Sequence, residues 1–446
     1  MDFRESKMEW SNTVPDGWKI KRLRFIAKLN PSKSEVNTLD LDTPVSFLPM
    51  ENVYADGHFS LEETRPIEEV YQGFTYFRDG DVIVAKITPC FENGKGAIMK
   101  NLQNGVGFGS TEFHVLRPHP NYSAHYLYYI TYSHLFRIQG EAMMIGSAGQ
   151  KRIPEDFLAN FTLPFPSFEE QERIADFLDQ KTKQVDNLIS LKEKQIDALK
   201  RKRQALISCA VTQGLDESVE KVASGIEWLG NVPKHWKVLP LKRFVISMCD
   251  GPFGSDMKSS HYSNEGVRLI RLQNISTGYF NDNDKAYIPE EHFQNLPGHD
   301  VEPGDLLVAG LGDANHPVGR ACIYPKHLQT AMVKADCFCI RLNKKKLLHE
   351  YAAIYLSSNV AQATISEQIR GATRERINLS GTSQVLTVVP PLNEQLNIIE
   401  HIKIESSQIN QLMATMQKQV EQLMMWRQAV ISAAVTGKLR VDTSTA

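Results

Sequence analysis

"FEEQERIADFLDQKTKQVDNLISLKEKQIDALKRKRQALISCAVT", residues 168–212, runs without a glycine or a proline. Its apolar positions Ile174, Leu178, Val185, Leu188, Ile196, Leu199, Leu206 and Ala210 recur about every 3.5 residues. That spacing predicts one long helix with a narrow seam of coiled-coil type and a stutter near Ile196. Pro164 and Pro166 force extended chain ahead of its start, and Gly214 lies where it should end. About 42 residues at 1.5 Å per residue span about 63 Å. A narrow apolar seam on so long a helix needs a partner.

The chain supplies a candidate partner by repeating itself. "RQALISCAVTQGL" (203–215) is echoed by "RQAVISAAVTGKL" (427–439), and the offset, 427 − 203, is 224 residues. The same offset relates "PFPSFEEQERI" (164–174) to "VVPPLNEQLNI" (388–398), "SAGQKRI" (147–153) to "GATRERI" (371–377), and "GDVIVAKI" (80–87) to "GDLLVAGL" (304–311). "EWSNTVPDGWKI" (9–20) matches "EWLGNVPKHWKV" (227–238) at 218. The backs of the two halves have kept register and the fronts have diverged by insertion and deletion. The second helix follows Pro390 and Pro391, and its seam is Ile398, Ile402, Ile409, Leu412, Val420, Leu423, Val430 and Ala434, ending near Gly437. The two helices are expected to pair antiparallel, as halves related by a pseudo-twofold axis would.

The fronts read as mixed α/β. "DVIVAKI" and "DLLVAGL" are short apolar runs after a Gly-Asp turn, so buried strands; "EFHVLRP" and "CFCIRLN" are strands too. "AHYLYYITYSHLFRIQGEAM" and "EYAAIYLSSNVAQATISEQI" are helical by period, each followed by a loop of small and basic residues. The expected fold is therefore two mixed α/β domains in tandem duplicate, separated by two long antiparallel coiled-coil helices. The boundaries expected are domain 1 at 1–165, helical spacer 1 at 166–215, a linker at 216–226, domain 2 at 227–389, spacer 2 at 390–439 and a tail at 440–446.

At 446 residues the chain is too long for one core, and 42% hydrophobic with 23% charged residues is the balance of a soluble globular protein. No apolar run approaches the roughly 20 residues that span a bilayer, and "MDFRESKMEW" lacks a signal-peptide core, so the expected compartment is the cytoplasm. Cys90, Cys209, Cys249, Cys322, Cys337 and Cys339 suggest no disulfide framework, and without CxxC or HxxxH no metal site is expected. Cys337 and Cys339 read as small residues on one face of a strand. A net charge of −2 argues against indiscriminate coating of nucleic acid but leaves room for a local footprint.

Catalytic motifs are missing. "NGKGA" (93–97) lacks the upstream Gly and the Ser/Thr of a phosphate loop, and there is no Asn/Asp-Pro-Pro-aromatic tetrapeptide for amino-methyl transfer. "GFGS" (107–110) reads as a turn before a strand. Asp81 and Lys86 hint at a metal nuclease, but Gly310 stands where Lys86 would recur. Two similar but diverged modules held apart by long helices suit a nearly periodic ligand touched at two places, and duplex DNA is one.

With its duplicated P-x3-EQ helix start (PP-x-x-EQ in the second half), RQA-x-IS-x-AVT helix end and EW-x4-P-x2-W lead-in, the chain resembles the specificity subunits of type I restriction–modification systems. The likeness covers nearly all residues. It implies a non-catalytic subunit whose two target-recognition domains read one bipartite, asymmetric double-stranded DNA sequence. It implies docking to two methyltransferase subunits, and through them to restriction subunits, with the helical pair as ruler and docking surface. No cofactor is expected in this chain; S-adenosylmethionine, ATP and Mg belong to the partners. The alternative is a stand-alone sequence-specific DNA-binding regulator with a coiled-coil spacer.

Base readout needs side chains with paired donors and acceptors. Candidates in the first domain are Lys86, Thr88, Asn93, Lys95, Ser110 and Glu112, with Gln150, Lys151 and Arg152 in the loop after the helix. In the second they are Asp313, Asn315, His316, Arg320 and Lys334, with Thr373, Arg374 and Arg376. Removing Arg374 and Arg376 together is expected to weaken DNA binding and leave subunit assembly intact. Leu188→Asp with Leu412→Asp is expected to separate the helices. Trp10, Trp18, Trp228 and Trp236 fit packing of each lead-in better than base stacking. The basic run Lys200–Arg203 has no counterpart in the second helix, where 424–427 reads "MMWR", and its role stays open.

Overall fold

In the computed structural model, residues 3–8, 11–147, 149–313, 315–369 and 375–441 are described. The chain forms two compact units. Unit 1 comprises Met1–Glu193 with Gln417–Ala446, and unit 2 comprises Lys194–Met416. These units cut across the sequential boundaries, because each takes in the start of one long helix and the end of the other. The helices run over Phe168–Gln213 and Leu392–Val435.

Both units share one plan. In unit 1, Ala27–Leu29, Phe113–Pro118, Val82–Ala85 and Gly96–Ile98 lie side by side in that order, all antiparallel. A second sheet orders Glu63–Pro66, Pro44–Leu48, Val106–Gly109 and Thr75–Arg78, with its central pair parallel. Unit 2 repeats the first sheet with Val245–Cys249, Cys337–Leu342, Leu306–Ala309 and Ala321–Ile323. It repeats the second with Tyr287–Ile288, Val267–Ile270, Ala331–Val333 and Asp300–Val301, again with a parallel central pair. Cys337 and Cys339 are buried with free thiols in their strand.

Two expectations about the secondary structure of the front domains need correcting. "GFGS" is a strand, Val106–Gly109, rather than a turn. A Cβ on Gly107 would meet the Phe77 ring at 2.2 Å and one on Gly109 the Leu48 carbonyl oxygen at 2.3 Å, so these glycines serve close approach. Each front helical stretch is also broken in two: Ala124–Tyr132 and His134–Ala142 meet at Ser133, and His349–Leu356 is followed by Asn359–Glu367. Ser133 and Ser358 are extended, and their hydroxyls cap the second helix by accepting from Phe136 N and Ala361 N.

The Gly-Asp motif is structural. Asp81 accepts from both Nε and Nη2 of Arg117 at 2.7 Å, and the two side chains are 1% and 9% exposed. Glu35 binds the same guanidinium; burial pushes its carboxyl up, but hydrogen bonds from Lys28 and Arg117 outweigh this and hold it down at about 2. In unit 2, Asp305 and Arg341 take the same places, with Nε to Oδ2 at 2.9 Å, and Asp300 supplies the second carboxylate. The metal-nuclease hint at Asp81 is thereby answered: its carboxylate is committed to Arg117.

The EQ of each helix start binds the helix to its domain. Gln171 Oε1 accepts from Ser123 N at 2.9 Å while its amide donates to Pro166 O. Gln395 does the same with Leu348 N and Pro390 O. The preceding glutamates, Glu170 and Glu394, accept from the indoles of Trp18 and Trp236 at 3.2 and 2.8 Å. Trp18 and Trp236 are buried, and Trp228 packs half-buried on the unit 2 core; Trp10 lies outside the described residues.

The helix ends explain the echoed segment. In unit 1, Ile431, Ala434 and Val435 from the end of the second helix share a core with Ile174, Ala175 and Leu178 from the start of the first. Tyr126 donates to Val435 O at 3.0 Å. In unit 2, Ala210 and Val211 share a core with Ile398 and Ile402, and Tyr351 donates to Val211 O. Within each unit the pair therefore runs antiparallel. Gly437, at φ +74°, abuts Pro15 and Trp18; Gly214, at φ +77°, abuts Trp236. A side chain at either would be strained in backbone; at Gly437 its Cβ would strike Pro15 at 2.4 Å, and at Gly214 it would crowd the Trp236 ring at 3.1 Å.

Arg427 is buried, donating to Tyr132 OH at 2.7 Å and pairing with Asp186 at 3.0 Å. Arg203 donates to Asn410 of the facing helix at 2.7 Å. Of the seam, Ile174, Leu178, Val185, Ile196, Ile398, Ile402, Ile409 and Val420 are buried. Leu199, Leu206, Leu423 and Val430 are half-buried. Leu188 and Leu412, however, are 47% and 51% exposed and do not belong to the pairing face. A strict 3.5 period drifts around an α-helix by about 20° per heptad, and the stutter moves the buried stripe off these two positions.

Candidate nucleic-acid interface

In unit 1 three segments converge where the strand Val82–Ala85 ends. Lys86 N donates to Glu112 O at 2.8 Å, and Ile153 N donates to Lys86 O at 2.9 Å. Thr88 N donates to Lys151 O at 3.0 Å, and Lys151 N to the Thr88 hydroxyl at 3.1 Å. Glu112 N donates to the Ser110 hydroxyl at 3.2 Å. Arg152 closes the arrangement with a two-pronged bond to Glu112, Nη2–Oε1 2.7 Å and Nε–Oε2 2.9 Å. That bond, with Lys86 nearby, holds the Glu112 carboxyl below the usual range. His114, whose imidazole pKa is shifted below its ordinary value by burial, anchors the loop from beneath through Ile153 O at 2.9 Å.

Lys86, Thr88, Ser110, Glu112, Gln150, Lys151 and Arg152 thus share one patch. Gln150 and Lys151 are exposed, whereas Glu112 and Arg152 spend much of their polarity on each other. Lys95 is turned away from this patch: its ammonium donates to Met50 O at 3.0 Å. Asn93 is exposed on the preceding turn.

Unit 2 rebuilds the junction at positions 224 higher. Gly310 N donates to Asp336 O at 2.7 Å, Ile377 N to Gly310 O at 2.9 Å and Gly312 N to Glu375 O at 2.9 Å. Arg376 pairs with Asp336 at 2.7 Å, as Arg152 does with Glu112. The scaffold is duplicated and its decoration is not. Where unit 1 has Lys86, a Cβ on Gly310 would strike the Phe338 ring at 2.4 Å, so no side chain fits.

The remaining candidates of the second domain divide. Arg320 is a correction. It is 4% exposed and donates to the carbonyls of Leu272, Ile275, Leu311 and Pro317 at 2.7–3.1 Å, so its fork braces the loop and has no donor pair left for a guanine. Asp313 accepts from Asn315 N and His316 N at 2.8 and 2.9 Å, which holds its carboxyl down and shapes the turn. Asn315 and His316 are exposed on it. Lys334 is half-buried and donates to Tyr262 OH at 2.7 Å. Thr373 and Arg374 lie outside the described residues.

Two features escaped the residue-by-residue reading. One is the acid–arginine pair of each junction, signalled only by an acid and an arginine that both recur at the 224 offset. The other is Phe253, a 48% exposed aromatic in "DGPFGSD" (250–256), with the Arg376 guanidinium 5.6 Å from its ring centre. Among the described residues no group of three His, Cys, Asp or Glu could hold a metal ion, and no helix is long and apolar enough to cross a membrane.

Comparison with known proteins gives this geometry its context. A family model described as type I restriction modification DNA specificity domain matches residues 15–201. The chain is 29% identical over 415 residues to the type I restriction enzyme EcoAI specificity subunit of Escherichia coli, covering 76% of this chain and 68% of that one. It is 26% identical over 513 residues to the EcoEI specificity subunit of Escherichia coli, covering 97% and 85%. Among solved structures it is similar to a chain from a type I R-M system, at 18% identity, TM-score 0.76 and coverage of 96% and 99%. It is also similar to the HsdS subunit from Thermoanaerobacter tengcongensis, at 18% identity, TM-score 0.56 and coverage of 96% and 98%. The structural likenesses speak to the fold.

Proposed function

Since this chain belongs to the type I restriction–modification specificity subunits, we propose that it is the non-catalytic subunit that selects a bipartite, asymmetric DNA target. The observation that carries this reading is the duplicated junction with unlike tips. Glu112–Arg152 and Asp336–Arg376 fix equivalent loops on equivalent strands, while the side chains around them differ. A constant frame with different donors and acceptors is what two different half-sites require. In this reading two methyltransferase subunits dock on the long helices and restriction subunits assemble through them, in the cytoplasm. S-adenosylmethionine, ATP and Mg act in those partners. Exposed apolar side chains on the helices support docking: Leu188, Met425 and Trp426 in unit 1, Ile404 and Leu412 in unit 2.

Sequencing of modified adenines in the host genome tests the whole proposal. The expected result is methylation at one two-part asymmetric motif that disappears when this chain is deleted. Methylation unchanged by the deletion would refute it.

The interface itself has a separate test. Lys86→Ala with Lys151→Ala should weaken binding to the cognate duplex about 10-fold near 0.15 M salt, and should lower the slope of log affinity against log salt by about 2. An unchanged slope would remove these lysines from the phosphate-contacting surface.

A further inference from the structure

Phe253 sits on a loop that is held rigidly from below. Gly251 lies flush on the neighbouring strand end: a Cβ there would come within 2.1 Å of the Lys334 carbonyl carbon and 2.3 Å of Val333 O. Gly251 N donates to its neighbour Asp250 at 2.7 Å, and His299 binds Asp250 O. Asp256 N closes the next turn on Phe253 O at 3.3 Å. The ring is therefore carried out of a fixed turn, 48% exposed, beside Arg376. Arg376 in turn is pinned by Asp336 at the junction that unit 1 builds around Arg152.

A lone exposed apolar residue is ordinary on a protein surface. A rigid one stacked against the fixed arginine of a recognition junction is not, because both partners are pre-organised and neither is packed away. In unit 1 the equivalent arginine is flanked instead by Ile145, which is 70% exposed and exchanges backbone hydrogen bonds with Arg152 at 3.0 and 2.9 Å. Each junction thus presents an apolar side chain next to its arginine, aromatic in one unit and aliphatic in the other.

We propose that Phe253 is a specificity-determining residue of the second recognition domain, whose ring contacts the 5-methyl group of a thymine in the major groove while Arg376 holds the ring in place. The methyl group is the one apolar feature that base pairs display there, and it distinguishes thymine from the other bases. The proposal rests on the reading of these junctions as the DNA interface.

The test uses the full chain and a duplex that it selects from a random-sequence pool. Each thymine of the selected site is replaced in turn by deoxyuracil, which removes only the methyl group. With the unmodified chain, one such replacement in one half-site should weaken binding about four-fold, the worth of one buried methyl. Phe253→Ala should weaken binding to the all-thymine site about 10-fold, and should abolish the penalty at that one thymine. Its salt slope should not change, because no phosphate contact is lost. Phe253→Leu should retain most of the discrimination, and thermal unfolding of all variants should match the parent, since the side chain is half in water. If Phe253→Ala binds like the parent, or keeps every deoxyuracil penalty, the role of Phe253 is overturned while the DNA-binding reading stands. A chain that selects no duplex overturns both.

Discussion

Arg117→Met is expected to destabilise unit 1 by about 3–5 kcal/mol, the scale for removing one partner of a buried ion pair. The substitution keeps the apolar stem and deletes the charge. Asp81, with 1% of its side chain exposed, is left with the backbone bond from Arg78 N at 2.9 Å as its remaining donor among the described residues. A carboxylate in that position can neither reach water nor find a cation. Adding Asp81→Asn to Arg117→Met should restore at least about 1 kcal/mol, because a neutral amide costs less to bury than an orphaned charge. Urea unfolding followed by hydrogen exchange at Val82–Ala85 and Phe113–Pro118 would report the effect within unit 1. A loss below about 1 kcal/mol would show that the pair is not the structural centre of the Gly-Asp motif. Arg341→Met should behave alike in unit 2 but more mildly, since Arg341 is 34% exposed and water screens the pair.

Val185→Asp should cost a comparable amount, about 3–5 kcal/mol, by placing a carboxylate on a helix face that is 2% exposed. Val420→Asp, at 3% exposure in the same unit, should match it. Leu188→Asp, one turn away at 47% exposure, should stay within about 0.5 kcal/mol of the parent. The pair of results separates helix pairing from partner docking. A Leu188 variant that folds normally yet loses its co-purifying partner subunits would place Leu188 on the docking surface. Equal destabilisation by Val185→Asp and Leu188→Asp would mean that the buried stripe runs elsewhere.

The contrast between these neighbours shows where the sequence is a sufficient guide. A 3.5-residue apolar period announces a long paired helix whatever the rest of the chain does, and the constant 224 offset announces that there are two. The period does not say which of several near-equivalent positions faces inward after a stutter, because small angular drifts accumulate along the helix. The recognition candidates divide for a similar reason. Gln150 and Lys151 follow a helix in a loop of small residues, where exposure is the default. Arg320 has the same local appearance in "GDANHPVGR", yet it is enclosed by four carbonyls, two from its own loop and two from the distant segment 272–275.

From the sequence alone came the duplication, the helices and the strand runs, and, through the motifs it shares, the resemblance to a family. The first three are written in local periodicity and in spacing, which survive without knowledge of distant contacts. Only the tertiary structure decided that Asp81 and Arg117, 36 residues apart, face each other. It alone showed that each echoed helix end completes the core of the unit containing the other half's recognition domain, and that Phe253 stands beside Arg376. Those pairings are set by strand register and by helices that begin in one unit and end in the other. Neither leaves a signal in any short window of residues, because the energy lies in burial and in desolvated charge between segments far apart in the chain.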